Sequence, residues 1–201
     1  ATVRAAARRI GGGPTLFVTG LGLSEVAQGV DGVLMLCTLA MLTGSIGRVG
    51  AGMLPLRGQN NVQGAADMGG MPDRVTGYQT LDDAAMRARA RALWGVEPPR
   101  EPGYTIPRML EAARRGELRA LWIQGEDIAQ SDPCEHEVLE ALRSLEFLVV
   151  QEMFLTDTAR HAHLVLPAAG ALEQDGTFTN GERRLQRVRA AVPPPAGARP
   201  D

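Results

Sequence analysis

Short apolar runs alternate with helical stretches along the second half of the chain, and this alternation limits the possible folds more than any other feature. Leu118 to Ile123, Phe147 to Val150 and His163 to Leu166 are strand-length and rich in branched or aromatic residues. None shows the in-and-out polarity of a half-solvated strand. A strand that is apolar on both sides is covered on both sides. The economical solution is a parallel sheet whose crossovers are helices. Thr15 to Thr19 is a fourth such run, ended by Gly20. The expected fold class is therefore α/β: a three-layer αβα arrangement around a mostly parallel, doubly wound (Rossmann-like) sheet, with one long Gly-rich loop.

The helices are legible between the strands. Thr2 to Arg9 reads as the end of a helix, closed by Gly11-Gly12-Gly13-Pro14. Ser24 is a good N-cap with Glu25 in the first turn, and apolar residues at helical spacing run from Val26 to Leu42. Asp82 to Trp94 has a charged outer face. Thr105 with Pro107 opens a helix that stops at Gly116, and Pro133 to Leu145 is amphipathic. Thr156 to Arg160 is a short helix, and Arg183 to Val188 an edge strand. Residues 1–192 are expected to form one domain, with 193–201 as a Pro-rich linker.

Composition excludes several classes of protein. The chain has 201 residues, 44% hydrophobic, and 21 basic against 23 acidic residues, giving a net charge of −2. A nucleic-acid binder or a membrane-surface protein would carry a basic excess. Gly32 to Gly47 is uncharged but too short, and too rich in Gly, Thr and Ser, to span a bilayer. Two cysteines cannot build a disulfide framework, so a reducing compartment, the cytoplasm, is expected.

Residues 44–72 break the pattern. Eight of the 24 glycines fall here, and only Arg48, Arg57 and Asp67 are charged. Disordered segments are usually charged and rich in Pro and Ser. The expectation is an ordered, partly buried loop wrapped around a ligand. Within it, Arg57-Gly58-Gln59-Asn60-Asn61-Val62-Gln63-Gly64 carries four carboxamides, which suit a heterocycle with many polar edges, such as a pterin, or which satisfy the loop's own backbone. Arg57 is a fixed planar cation suited to a small carboxylate or oxyanion.

In an open parallel sheet, ligands bind beyond the carboxyl ends of the strands. Those positions hold Gly20-Leu21-Gly22-Leu23-Ser24-Glu25, Gln124-Gly125-Glu126-Asp127, Gln151-Glu152 and Pro167-Ala168-Ala169-Gly170. A nucleotide crevice fits all four, although tight turns and helix caps demand similar residues. The first turn has Glu25 where a dinucleotide fingerprint has its third glycine. A carboxylate at Asp127 can accept two N–H bonds from one edge of guanine, or Asp127 and Ser131 simply cap the next helix. Cys134-x-His136 and His161-x-His163 are too sparse for a metal site, and Cys37 reads as core.

Leu56 to Ala65, continuing to Asp67-Met68-Gly69, resembles the signature loop of molybdopterin-dependent formate dehydrogenases of the dimethyl-sulfoxide-reductase superfamily. The likeness extends through Leu42-Thr43-Gly44 with Gly47, Gly77-Tyr78-Gln79, Gly125-Glu126-Asp127, Val150 to Thr156, Val165-Leu166-Pro167, Glu173, Gly176 to Thr179 and Arg183 to Gln186. By that resemblance Arg57 is the catalytic arginine that orients formate. Gly58 and Gln59 contact a molybdopterin guanine dinucleotide, and Leu21, Gly22 and Glu25 form a turn on the same cofactor. Gly125, Glu126, Asp127 and Ser131 make a guanosine-binding turn, and Gln151, Glu152 and Ala168 line it further. The implied cofactor is bis-molybdopterin guanine dinucleotide with Mo or W, with no metal ligand in this chain.

The sequence departs from its relatives at two places. Glu25 stands where some carry Gln, and Ala66 where some carry Cys. The four-cysteine cluster segment, the loop carrying the Cys or selenocysteine metal ligand, and a β-rich cofactor domain are not in this sequence, and Cys37 and Cys134 do not align with the metal ligand. The resemblance thus implies an interior fragment, inactive alone. Its partners would be the remaining domains, a 4Fe-4S cluster outside it, and electron-transfer subunits, with formate as substrate. Two alternatives share the fold: a cofactor-free structural or electron-relay relative, and an oxidoreductase acting on another oxyanion such as nitrate.

Overall fold

The computed structural model describes residues 2–200. The chain divides into two compact units, one running to Gln63 and including Asn180–Arg183, the other comprising Gly64–Thr179 and the residues from Arg184 onward.

The first unit begins with α1 (Thr2–Ile10), which buries none of its residues. Strand β1 (Leu16–Thr19) pairs in parallel with β2 (Gly52–Pro55), Leu16 opposite Gly52 and Thr19 opposite Pro55. Helix α2 (Gly29–Leu42) connects them. The helix starts four residues later than Ser24 as N-cap would place it. Leu21–Leu23 form a 3-10 turn whose Leu21 carbonyl accepts from the amides of both Ser24 and Glu25. The Ser24 hydroxyl also donates to that carbonyl, at 3.1 Å, instead of accepting from the amides of Val26 or Ala27 as an N-cap would. Gly29 then enters so close to Ser24 that a Cβ would lie 2.3 Å from the Ser24 carbonyl oxygen. Only Phe17 of β1 is buried, so the strand expected to be fully covered is covered on one side. Ser45, wholly buried, accepts from the Thr15 amide and shares a hydrogen bond with the Thr43 hydroxyl, tying the end of α2 to the start of β1.

The segment 44–72 is not one loop. It contains β2 and the short helix α3 (Val62–Asp67). Neither shows a period, because β2 has four residues bounded by Gly52 and Pro55, and α3 has six. Residues 55–60 between them are exposed, while Gly64 and Ala66 are buried.

The second unit holds a short antiparallel pair, β3 (Arg74–Val75) with β4 (Gln79–Thr80), then α4 (Ala84–Trp94) and α5 (Ile106–Arg114). Gly69, at φ +95°, packs its Cα so near this pair that a Cβ would meet the Thr76 amide nitrogen at 2.9 Å. Asp83 caps α4 through its side chain, and Gly95 ends it in the left-handed region. Arg87 points inward from α4 rather than joining its charged face. It is 8% exposed, donates to the carbonyls of Leu81 and Pro99, and pairs with Glu97, pinning the loop that follows the helix.

The sheet of this unit has three parallel strands in the order β5 (Ala120–Gln124), β6 (Phe147–Glu152), β7 (Leu164–Pro167). The crossovers contain α6 (Ile128–Ser131), α7 (Glu135–Ser144) and a 3-10 turn at Ala159–His161. The fold class is α/β. One core forms between one sheet face and the helices: Ala113, Val138, Ala141 and Leu142 meet Ile123, Leu148 and Val150. The opposite face carries Trp122, Phe147 and Leu164, exposed by 59%, 47% and 44%. A hairpin of β8 (Gly176–Thr179) and β9 (Leu185–Val188) follows, giving the expected edge strand a partner. In the Pro-rich tail, Arg199 bridges in parallel to Ala168 at the end of β7. Among the described residues no helix is long and apolar enough to cross a membrane.

Leu148 is wholly buried and Leu164 is not, so truncating them separates the covered face from the uncovered one. Leu148→Ala is expected to cost about 2–5 kcal/mol in denaturant unfolding. Leu164→Ala should cost roughly 1 kcal/mol or less.

Candidate functional site

Parallel pairing places the candidate residues of each unit on strand carboxyl ends. In the first unit the amide of Leu56 donates to the Thr19 carbonyl at 2.7 Å, so β1 and β2 end side by side. The 3-10 turn with Leu21 and Gly22 leaves one end, and Arg57-Gly58-Gln59 leaves the other. They meet: a Cβ on Gly58 would lie 2.9 Å from Leu21 Cδ1. Arg57, Gly58, Gln59, Leu21, Gly22 and Glu25 are all exposed, so this rim presents backbone and side chains to solvent. The Arg57 guanidinium reaches Gln63 Oε1 at 3.4 Å. One of the four carboxamides is thus engaged with the arginine.

In the second unit the ends of β5, β6 and β7 are adjacent. Gln124 sits opposite Gln151, which sits opposite Leu166, and Glu152 lies opposite Pro167. The Gly125 amide donates to the Gln151 carbonyl at 3.0 Å, and the Ala168 amide to the Glu152 carbonyl at 3.1 Å. This lattice carries Gly125, Glu126, Asp127, Ser131, Gln151, Glu152 and Ala168 on one rim. Gly125 turns the chain at φ +62°, a conformation glycine adopts without a Cβ clash.

The side chains of this rim are ordered by one another. The Ser131 hydroxyl donates to Glu126 Oε1 at 2.7 Å. Gln151, 7% exposed, accepts through Oε1 from Gln124 Nε2 at 3.1 Å. Glu152 folds back onto the Met153 amide at 2.6 Å. Asp127 does not cap α6 with its side chain. Instead its Oδ1 accepts from the Thr158 amide at 2.9 Å and from the Thr158 hydroxyl at 2.6 Å. Burial pushes the Asp127 carboxyl up, but the Thr158 hydroxyl and amide, with the Asp157 backbone, outweigh it and hold the group below the usual carboxylate range. Asp132 nearby is shifted the other way, by burial and by the charge of Glu126.

Chemically, the second rim offers an ionised, half-buried acceptor, a buried carboxamide and close backbone approach at a glycine. Those groups suit the edge of a heterocycle bearing adjacent N–H donors. Sequence reasoning missed Thr158, and it placed Gln124 at a strand end without giving it a partner. The visible signal for Thr158 is a hydroxyl residue in the turn after an apolar strand. Of the weaker candidates, His163 accepts the Leu148 amide on Nδ1 at 3.0 Å, Cys134 stands at the N-cap position of α7 without a side-chain cap bond, and His136 lies on that helix's exposed surface. Among the described residues no group of three or more His, Cys, Asp or Glu could hold a metal ion.

A family model described as Molybdopterin oxidoreductase matches residues 13–201. The chain is 48% identical over 181 residues to the F420-dependent formate dehydrogenase subunit alpha of Methanocaldococcus jannaschii, covering 90% of this chain and 26% of that protein. It is 50% identical over 182 residues to the F420-dependent formate dehydrogenase 2 subunit alpha of Methanococcus maripaludis, with coverage of 90% and 26%. It is 45% identical over 176 residues to formate dehydrogenase H of Escherichia coli, with coverage of 87% and 25%. The chain spans about a quarter of the length of these curated relatives.

The depressed Asp127 carboxyl gives a signed pH dependence. A group whose folded pKa lies below its ordinary value of 3.8 contributes stability above that value and loses it as pH falls through the folded one. Acid unfolding below about pH 4 should therefore be steeper in the wild type than in Asp127→Asn. Equal acid limbs in circular-dichroism titrations would contradict this.

Proposed function

This chain belongs to the molybdopterin oxidoreductase family, and from that premise we propose that it is the cofactor-gripping domain of a formate dehydrogenase catalytic chain. The observation that carries the reading is Asp127: a half-buried carboxylate, kept ionised by hydrogen bonds, at the carboxyl edge of a parallel sheet. The proposed cofactor is bis-molybdopterin guanine dinucleotide with molybdenum or tungsten, and the residues fit it. Guanine presents an N1–H and a 2-amino group on one edge, and an ionised carboxylate is the acceptor that matches both.

Asp127 takes the guanine edge, and Gly125, Glu126 and Ser131 shape the turn around the nucleoside. Gln151, Glu152 and Ala168 line the same rim. In the first unit Leu21, Gly22, Glu25, Gly58 and Gln59 offer a second gripping surface, where the absence of a side chain at Gly58 makes room for the Leu21 side chain to pack against it. Arg57 is the catalytic residue. Its guanidinium neutralises and aims the formate carboxylate, which is catalysis by positioning and electrostatics. When bound, the cofactor supplies the redox chemistry by which formate loses two electrons and a proton to become carbon dioxide. The electrons leave through a 4Fe-4S cluster in another part of the chain and then through electron-transfer subunits, in the cytoplasm. Residues 1–192 serve as the dinucleotide-binding domain, with 193–201 as a Pro-rich linker.

Three measurements test this. Nucleotide released by acid from the purified full-length chain should be a guanine nucleotide, and Asp127→Ala should lower its amount per chain by about tenfold. A cytosine nucleotide, or no change in the variant, would refute the assignment. Arg57→Ala in the full-length enzyme should lower formate kcat/KM by about 10²-fold, the cost of losing one preorganised donor. Residues 1–201 alone should show no formate-dependent dye reduction, and turnover by them would contradict the proposal.

A further inference from the structure

Thr158 is wholly buried and polar, yet it lies outside every group of residues assigned above to the cofactor. Its contacts have a direction. The amide and hydroxyl both donate to a single oxygen, Asp127 Oδ1, at 2.9 and 2.6 Å. The same hydroxyl oxygen accepts from the Ala129 amide at 3.0 Å. A second tie runs alongside, from Gln130 Nε2 to Asp157 Oδ2 at 3.3 Å. The turn after β6 is thereby fastened to the turn after β5, across 31 residues of sequence.

A carboxylate has about four acceptor sites, two on each oxygen. Thr158 supplies two donors to Oδ1, and the Asp157 backbone adds a third to the carboxylate, so not all of its sites are taken. The pair also fixes the carboxylate plane, since two donors from one residue at one oxygen leave it little rotational freedom. We propose that Thr158 is a positioning residue for nucleobase recognition, holding Asp127 by Oδ1 so that the acceptor capacity left on Oδ2 meets the N1–H and 2-amino groups of a guanine. It would therefore set the preference for guanine over bases that lack that pair of donors. This rests on the cofactor reading above. A buried threonine with a purely architectural role would support the Ala129 turn and stability, but it would not govern which base is preferred.

The test uses the full-length catalytic chain prepared without cofactor, titrated by calorimetry with GDP, IDP and ADP. IDP lacks the 2-amino group, and ADP lacks the N1–H as well. Wild type should bind GDP best. Thr158→Val and Thr158→Ala should weaken GDP by about tenfold or more and shrink the GDP-over-IDP ratio toward one. Thr158→Ser, which keeps the hydroxyl, should restore both. In an Asp127→Asn background, Thr158→Val should add no further loss of discrimination.

Several results would overturn the proposal. A Thr158→Val protein with lower Tm but an unchanged GDP-over-IDP ratio would make the residue merely structural. A Thr158→Ser protein that folds yet fails to discriminate would do the same. Wild type binding GDP no better than ADP would instead sink the guanine reading itself, so the two failures are separable.

Discussion

The in-register pairing of β5, β6 and β7 is the constraint on which the second unit depends. Each strand is short, and each must end at the same level for Gln124, Gln151 and Leu166 to stand side by side. Parallel strands reach that arrangement only through crossovers, and a one-residue slip would exchange the inward-facing Ile123 and Val150 for Trp122 and Val149. The packing of Leu142, Leu148 and Val150 holds the register from one side. Everything chemical follows from it, because the turns leaving three level strand ends are neighbours in space. Asp127 and Thr158 meet only because the β5 and β6 turns emerge together.

The same logic operates on a smaller scale in the first unit. β1 and β2 end together at Thr19 and Pro55, and the two segments that leave them touch at Leu21 and Gly58. A turn and a glycine-carboxamide segment far apart in sequence become one surface. Each rim is thus a consequence of parallel pairing first, and of particular polar residues second.

Much of this is legible in the sequence. The strands 120–124, 147–152 and 164–167 stand out as short, nearly unbroken runs of apolar, β-branched and aromatic residues set between helices. The family resemblance likewise rests on contiguous motifs, and the chain's similarity to formate dehydrogenases agrees with it. What stays hidden is non-local or too short to have a period. β2 has four residues between a glycine and a proline, and β8 becomes a strand only by pairing with β9. The start of α2 is displaced because the Leu21 carbonyl engages the Ser24 amide and hydroxyl and the Glu25 amide in a 3-10 turn, so Ser24 does not cap. The Asp127–Thr158 contact spans 31 residues, and neither residue type signals it alone. The carboxylate is visible as a candidate, but the group that holds it is not.

The central claim is that Asp127, at the carboxyl edge of this sheet, receives a guanine. An experimental structure of the cofactor-loaded full-length chain tests it most directly. The account predicts a guanine with its N1–H and 2-amino nitrogen about 3 Å from the Asp127 carboxylate, whose Oδ1 still engages Thr158. A dinucleotide whose base lies away from this rim, with Asp127 contacting only protein and water, would contradict it.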